Sequence, residues 1–298
     1  MQPIVSGSGA QPGTVLRGAQ RGTLYLVSTP IGNLGDITTR ALEILRGVNL
    51  VVAEDTRNTG NLLRHFDIRT EMLACHDHNE NEMAPRLVEK LRAGQSIAIV
   101  SDAGTPLISD PGYRLVAAAI AAQLPIIPVP GANAILPALQ LSGLPPRTFY
   151  FGGFLSSRTK ARCDELALLS ALPSTLVFYE APHRLTDMLV DAVSVLGGDR
   201  RAAVVREISK KFEEVRRGAL FMLRDFYVHT EVRGEIVVVI EGAQEVVKWS
   251  EASVRETLAE AMQNGTPFRE AVVILTAQSG WQKRDVYDLA LKLKLNED

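Results

Sequence analysis

Side chains able to accept or donate a proton are grouped in four short segments of the sequence. These candidate catalytic residues are Glu54, Asp55 and Arg57 in AEDTR, His76 and His78 in CHDHNE, Glu180 and His183 in FYEAPHR, and Lys210, beside Glu207, in REISK. Each segment offers a general base, a role that typically contributes about 10²–10⁴-fold to a rate. The residues leave the choice between them open.

The same segments also have a structural interpretation. AEDTR is typical of a loop ion pair and a helix cap, and His183 can be a structural histidine. Pro182 suits the first turn of a helix. His183 and Arg184 would then lie near the positive end of that helix.

The CHDHNE segment is also a candidate metal site, because His, Cys and carboxylate side chains cluster there. In an extended segment only side chains two residues apart share a face, so at most His76 and His78 converge. The sequence holds no distant Cys and His set to complete a tetrahedron. We therefore predict no metal site.

Three segments of small residues follow short apolar runs, and we call them the first, second and third loops. They are STPIGNLGDIT at residues 28–38, VSDAGTPLISDPG at 100–112 and VPGANA at 129–134. The first loop is neither GxGxxG nor a Walker loop, so a dinucleotide or nucleoside triphosphate finds no support. Each loop alone is also typical of an ordinary turn and helix cap. Loops that end neighbouring strands meet at one crevice, and together they predict a preformed pocket for a small, flat ligand.

The elements that position these residues form two series. Apolar runs at 24–27, 49–54, 96–102 and 126–131 alternate with helical patterns that stop at Gly47 and Gly94. This alternation predicts a mainly parallel α/β sheet. The second series has strands at 174–180, 202–207 and 234–242 and a helix at 183–196, and three short helices follow from about residue 250.

The predicted organisation is a disordered Gly-rich tail at residues 1–22, α/β domains at 23–143 and 144–245, and a helical domain at 250–298. The chain has 298 residues with 46% hydrophobic and 22% charged side chains, which excludes wholesale disorder. A net charge of −2 gives no bulk attraction to nucleic acid or anionic membranes. Two cysteines suggest a reduced compartment, and prolines interrupt the most apolar stretch. We expect a soluble, cytoplasmic chain.

Six motifs occur together and in order: TPIGNLGDIT, AEDTRNTGNLL, HDHNE, VSDAGTPLISDPG, VPGANA and FYEAPHR. Over residues 23–242 they closely resemble the ribosomal RNA small subunit methyltransferase I family, a branch of the tetrapyrrole methylase superfamily. The last helices resemble that family's small helix-turn-helix-like C-terminal domain. The resemblance implies two α/β domains of the class III methyltransferase type and a small helical domain.

The resemblance also implies S-adenosylmethionine as the cofactor, held in a cleft between the α/β domains of a homodimer. The implied cofactor-binding residues are Pro30, Ile31, Gly32, Asp102, Ala103, Gly104, Thr105, Pro130, Ala132, Asn133, Tyr179 and Glu180. The porphyrin branch usually carries a glycine-rich first turn. This chain has TPIGNLGD there instead, which favours the RNA branch.

The implied reaction is methylation of the 2′-hydroxyl of a cytidine in small-subunit ribosomal RNA, with the assembled subunit favoured as substrate by the weak overall charge. Alignment of an in-line attack contributes on the order of 7–11 kcal/mol in well-oriented systems. The expected phosphate contacts are Arg158, Lys160, Arg162, Arg184, Arg206 and Lys211. A solvated face also explains such basic runs.

Two alternatives remain at this point. The first is a methyltransferase that acts on a tetrapyrrole or corrinoid, against which the basic runs speak mildly. The second is a ribosome-binding protein that holds the cofactor as a sensor without turnover. It predicts RNA binding without a methylated product.

Overall fold

The computed structural model describes residues 18–76, 78–244 and 249–295. Residues 1–17 of the predicted tail, Asp77 of the CHDHNE segment and the predicted domain end at 245 lie outside the described residues. Within residues 18–22, the Gln20 amide donates a hydrogen bond to the Tyr25 hydroxyl at 2.8 Å. The chain up to Gly242 forms one compact unit and a second begins at Ala243. The placement of the two sheets in separate domains stays a prediction.

The first sheet is entirely parallel, with the strand order β3-β2-β4-β1-β5. Its strands are β1 (Leu24–Val27), β2 (Leu50–Ala53), β3 (Met72–Ala74), β4 (Ile97–Val100) and β5 (Ile126–Val129). Its helices are α1 (Thr39–Gly47), α2 (Thr56–His65), α3 (Glu80–Arg92), α4 (Tyr113–Ala121) and α5 (Ile135–Ser142). The predicted parallel sheet is confirmed, with β3 as a strand that the sequence did not indicate.

The second sheet is mixed, in the order β6-β7-β10-β8-β9, with only the β6–β7 pair parallel. Its strands are β6 (Phe149–Phe154), β7 (Thr175–Glu180), β8 (Arg201–Arg206), β9 (Glu214–Ala219) and β10 (Ile236–Ile240). Its helices are α6 (Thr159–Leu169), α7 (Leu185–Leu196) and α8 (Leu220–Val228). The predicted α/β class holds for both sheets.

Helices cover both faces of each sheet, and the central strands are therefore continuous apolar runs. Every residue of β2, β4 and β10 is buried. Alternate side chains of each sheet enter separate clusters on its two faces. The strand ends, and the loops that follow them, are therefore held by packed cores.

Helix α5 connects the two sheets. It follows β5 of the first sheet, yet it packs on β8 and β10 of the second. Its side chains Ala138 and Leu139 join Val205 and Val237 in one buried cluster. This helix places the carboxyl ends of the first sheet opposite the second sheet.

The second unit is helical, as predicted, with α9 (Glu251–Gln263), α10 (Phe268–Ser279) and α11 (Lys283–Leu295). It has its own apolar core, in which Val254, Leu258, Leu275 and Val286 are buried. In the part of the chain that the structure describes, no helix is long and apolar enough to cross a membrane.

Candidate active site

The three small-residue loops meet at the carboxyl edge of the first sheet, because β4, β1 and β5 are neighbours there. Thr29 of the first loop and Gly104 of the second exchange two backbone hydrogen bonds of 2.8 and 3.1 Å. The Thr105 hydroxyl donates to the Ala132 carbonyl of the third loop at 3.3 Å. The predicted convergence is therefore confirmed.

Gly104 lies where the three loops come closest. Its φ is +82°, a backbone conformation that glycine adopts without strain. A Cβ atom there would lie 3.3 Å from Ile31 Cγ2 and 3.8 Å from the Ala132 carbonyl oxygen. The absent side chain lets the three loops form a closely packed floor.

The Asp102 carboxylate is held in place at the end of this floor. Its Oδ1 accepts a hydrogen bond from the Asp55 amide at 3.1 Å, and its Oδ2 accepts one from Asn58 Nδ2 at 2.8 Å. The start of α2 therefore orients the carboxylate of the second loop.

The floor and the second sheet enclose a cleft of about 560 Å³. From the floor, Ile31, Asp102, Ala103, Gly104, Thr105 and Asn133 line the cleft; the opposite wall contributes Phe149, Phe154, Tyr179, Glu180, Ala181, Pro182, Ile208 and residues 234–237. Ala132 lines an adjoining depression that shares Ile31 and Asn133 with the cleft. Among the predicted cofactor residues, Pro30, Gly32 and Pro130 are not among the described residues that line either space.

Of the predicted catalytic residues, Glu180 is the one found among the described cleft-lining residues. Its side chain is buried; Oε1 accepts a hydrogen bond from the Ala181 amide at 2.8 Å and lies 3.4 Å from Arg184 Nε. Its Oε2 has no hydrogen-bond partner among the described residues. Burial raises the pKa of the Glu180 carboxyl, and the Ala181 amide and Arg184 only partly offset this effect.

Asp55 and Arg57 form the ion pair and helix cap that the structural interpretation of AEDTR describes. Asp55 Oδ1 accepts a hydrogen bond from the Arg57 amide at 2.8 Å, and Oδ2 lies 2.6 Å from Arg57 Nη2. Hydrogen bonds from Arg57 lower the pKa of Asp55 to about 2. A carboxylate this acidic is a poor proton acceptor at neutral pH. Glu54 precedes this pair, and none of the three is among the described residues that line the cleft.

Lys210 reaches from the second sheet's side across the first loop. Its Nζ lies 2.9 Å from both Glu207 Oε1 and Glu235 Oε2, and its stem covers Gly32 so closely that a Cβ there would overlap it. Burial lowers the pKa of Lys210, but the hydrogen bonds to the two carboxylates outweigh burial and raise it overall. The Lys210 ammonium therefore stays charged, so this side chain is suited to joining the two walls of the cleft and not to accepting a proton.

The three predicted catalytic histidines are exposed and are absent from the described lining of the cleft. The rings of His76 and His78 lie 6.0 Å apart. His183 is in a short 3-10 helix, Pro182–Arg184, directly before α7. Among the described residues, no group of three or more His, Cys, Asp or Glu side chains is arranged to hold a metal.

The six predicted phosphate contacts have different surroundings. Arg158, Lys160 and Lys211 are exposed, and Arg206 pairs with Glu214 at 2.8 Å. The placement of Arg162 corrects the prediction, because this side chain is buried and its Nη2 lies 2.6 Å from Asp191 Oδ2. Arg184 is mostly buried and donates to the Leu155 carbonyl at 2.5 Å.

Sequence reasoning missed the apolar part of the cleft wall. Phe149 and Phe154 begin and end the segment FYFGGF, where three consecutive aromatic residues and a glycine pair offered a signal. Ile208 and residues 234–237 gave none, because only the pairing of β10 with β7 and β8 brings them to the cleft.

Comparisons with known proteins show which family the chain resembles. Residues 23–223 match the profile of the family described as Tetrapyrrole (Corrin/Porphyrin) Methylases. The chain is 44% identical over 275 residues to "Ribosomal RNA small subunit methyltransferase I" of Synechocystis sp., covering 92% of this chain and 99% of the relative. The protein of the same name from Escherichia coli O157:H7 is 44% identical, covering 91% and 96%.

A solved structure, uroporphyrin-III-C-methyltransferase from Thermus thermophilus, superposes with a TM-score of 0.52 at 22% identity. The superposition covers 74% of this chain and 94% of that one. At this identity the likeness concerns the fold alone.

Proposed function

This chain belongs to the ribosomal RNA small subunit methyltransferase I family of tetrapyrrole methylases, and we propose that it methylates small-subunit ribosomal RNA with S-adenosylmethionine. The observation that carries the proposal is the 44% identity to relatives of that name over nine-tenths of both chains. The joined loops of the cleft support it, because they lie at the carboxyl edge where α/β proteins bind small ligands.

The residues of the cleft floor fit a cofactor that is partly flat and partly flexible. Gly104 is buried, its N–H and C=O both pair with Thr29, and the loops around it pack so closely that a Cβ there would crowd Ile31. The Asp102 carboxylate is already oriented by Asp55 and Asn58. We assign the floor to the cofactor through Asp102, Ala103, Gly104, Thr105, Ala132 and Asn133. Tyr179, which the resemblance also assigned to the cofactor, lies on the opposite wall. When bound, S-adenosylmethionine supplies an activated methyl group.

The acceptor we propose is the 2′-hydroxyl of a cytidine. The protein must orient this weakly acidic alcohol, exclude water and take up its proton. We assign the proton to Glu180, because it lines the cleft and its Oε2 keeps an unused acceptor site. Its raised pKa makes it a stronger base than an exposed carboxylate. Burial raises the pKa of Tyr179 to about 12, which leaves that neighbour protonated.

We further propose that the protein works in the cytoplasm as a homodimer on the assembled small subunit. A net charge of −2 supports a shaped substrate over naked RNA, because bulk electrostatic attraction to a polyanion is missing.

The test is methyl transfer from labelled S-adenosylmethionine to small subunits that lack their native ribose methylations. Naked ribosomal RNA and a porphyrin precursor serve as parallel substrates. Labelled RNA is then digested with alkali, because a 2′-O-methyl group makes the adjoining linkage resistant. We expect label at a cytidine ribose, in subunits more than in naked RNA.

Other outcomes would replace the proposal. Label on the porphyrin precursor alone would keep the cleft and discard the RNA substrate. Bound cofactor and bound subunits with no labelled product would indicate a sensor without turnover.

A further inference from the structure

Strand β6 carries an irregularity beside the cleft. Phe151 pairs with Val177 of β7, and the next pair joins Phe154 to Tyr179, so three steps along β6 match two along β7. One extra residue in one strand is a β-bulge, which turns the following side chains to the opposite face.

Two glycines make this bulge. A Cβ on Gly152 would lie 2.5 Å from the Phe178 ring, and Gly153 has a φ of +62°. Neither position accepts a side chain without displacement or strain. As a result, Phe154 points to the face of Phe151 and Tyr179, with its ring centroid 5.5 Å from that of Tyr179. In a regular strand it would enter the opposite core.

The bulge leaves a large aromatic ring uncovered inside the cleft. Phe154 is 54% exposed and Phe149, also in the cleft wall, is 40% exposed. A phenylalanine that is turned out of a core loses the favourable free energy of its burial. Because the Gly152–Gly153 bulge imposes this loss on Phe154, we infer that the exposed ring is placed to contact a ligand. We call Phe149, Phe154 and Tyr179 the platform.

The loop that follows the platform is held from inside. Arg162 Nη1 donates to the carbonyls of Ser156 and Ser157 at 3.3 and 3.4 Å, and Arg184 Nη2 donates to that of Leu155 at 2.5 Å. The two guanidinium groups are themselves anchored by Asp191 and Glu180. A loop that is fixed in this way loses less conformational entropy when a ligand binds.

Exposed cations follow at the end of this loop and the start of α6. Arg158 and Lys160 lie four and six residues beyond Phe154 and are open to solvent, and Lys160 Nζ lies 2.9 Å from Asp164 Oδ2. Aromatic rings beside basic side chains are typical of surfaces that bind single-stranded nucleic acid, with bases stacked on the rings and phosphates near the cations.

We propose that the platform stacks the base of the RNA nucleotide whose ribose is methylated, with Phe154 as the main contact. This rests on the proposed function. A ribose hydroxyl enters a cleft only if its nucleotide leaves the helical stack, and proteins commonly receive such bases on aromatic side chains. The floor assigned to the cofactor lies on the opposite wall, which leaves the platform to the substrate.

The experiment compares Phe154→Ala, Phe154→Trp and Tyr150→Ala with the wild type. Tyr150 is the matched control, because it lies on the same strand with similar exposure and pairs with Leu176 of the opposite core. KM and kcat are measured with small subunits, and the affinity for S-adenosylhomocysteine by calorimetry. We expect Phe154→Ala to raise KM roughly 5- to 150-fold, the range for one lost base–aromatic stack.

Phe154→Trp keeps a stacking surface and should hold KM near the wild-type value, as should Tyr150→Ala. Cofactor affinity should not change in any variant. An unchanged KM in Phe154→Ala, with the wild type active on subunits, would overturn the platform and leave the proposed function standing. A parallel loss of cofactor affinity would overturn it too, because the stacked base would then be the cofactor's adenine. A wild type that methylates no RNA would remove both.

Discussion

At the scale of single residues, Glu180 combines properties that rarely occur together in a structural side chain. It is 2% exposed, one carboxylate oxygen lacks a hydrogen-bond partner among the described residues, and its nearest cation is 3.4 Å away. A buried carboxyl kept for stability alone is expected to satisfy both oxygens. The imperfect pairing with Arg184 leaves acceptor capacity on this buried oxygen.

We predict that Glu180→Gln lowers kcat by about 10²–10⁴-fold, the usual contribution of a general base. In the wild type, kcat should fall as the pH drops through the raised pKa of Glu180, since the protonated carboxyl accepts no proton. In Glu180→Gln this acid limb should disappear. The measurement is kcat at saturating subunits across the acid range.

Glu235→Gln is the control for this profile, because Glu235 also lines the cleft but its carboxylate faces Lys210. It should retain the acid limb. An acid limb that persists in Glu180→Gln would place the base elsewhere.

The pH dependence of the unfolding free energy tests the raised pKa of Glu180 independently. A carboxyl whose pKa is raised by folding stabilises the protein below its unfolded pKa, and this contribution is lost as the pH rises through its folded pKa. Glu180→Gln should therefore gain stability relative to the wild type with rising pH.

At the scale of elements, the two walls of the cleft meet where Lys210 covers the first loop. Gly32 has a φ of +131°, and a Cβ there would overlap the Lys210 stem. Ser209, next to Lys210, also bonds through its hydroxyl to the Asp36 carboxylate of the first loop. The contact depends on one glycine and one flexible lysine.

We predict that Gly32→Ala destabilises the protein by roughly 1–3 kcal/mol, because both backbone strain and the Lys210 overlap oppose it. Gly143→Ala is the matched control: φ there is +71°, and nothing lies within 4 Å of the added Cβ. Gly143→Ala should lose less free energy of unfolding, because only backbone strain opposes it. Adding Lys210→Ala to Gly32→Ala should restore the part of the unfolding free energy that the overlap removes. Urea unfolding of the wild type, the two glycine variants and the double variant measures these differences. Equal losses at the two glycines would argue against the close contact.

A second element-scale feature is the buried pair of Arg162 on α6 and Asp191 on α7. We predict that Arg162→Met costs about 3–5 kcal/mol of unfolding free energy, because it leaves Asp191 buried without its partner. Lys160→Ala, on the exposed face of the same helix, should cost under about 1 kcal/mol. Chemical denaturation compares them. A stable Arg162→Met that binds RNA weakly would restore Arg162 as a phosphate contact.

Some elements of the fold could be predicted from the sequence and others could not. Strands β1, β2, β4 and β5 were predictable because parallel strands buried on both faces are continuous apolar runs. Strand β9 was not, since EVRRGA is polar and lies at an edge. The three loops were predictable from local spacing, but Phe154 depends on a bulge in β6. Arg162 was misplaced because charge alone does not give a helix face, although Leu166, one turn later, is fully buried.

At the scale of the whole molecule, the chain divides after Gly242 into the α/β unit and the helical unit. Every described residue that lines the cleft lies at or before Val237. The described lining residues of the cleft therefore all belong to the α/β unit. The helical unit has a separate core and its own polar link, in which Trp281 Nε1 donates to the Trp249 carbonyl at 2.8 Å.

We predict that a chain ending at Gly242 keeps a cooperative unfolding transition and binds S-adenosylhomocysteine with an affinity within about twofold of the full chain, since every described residue that lines the cleft is retained. Calorimetry and thermal unfolding measure both. Leu275→Asp in the full chain is the companion variant, because Leu275 is buried within the helical core. It should disrupt that unit and leave cofactor affinity unchanged. A tenfold weaker affinity in the shortened chain, with its fold intact, would mean that the helical unit takes part in cofactor binding. Equal affinity with lost methylation of subunits would instead assign that unit to the substrate.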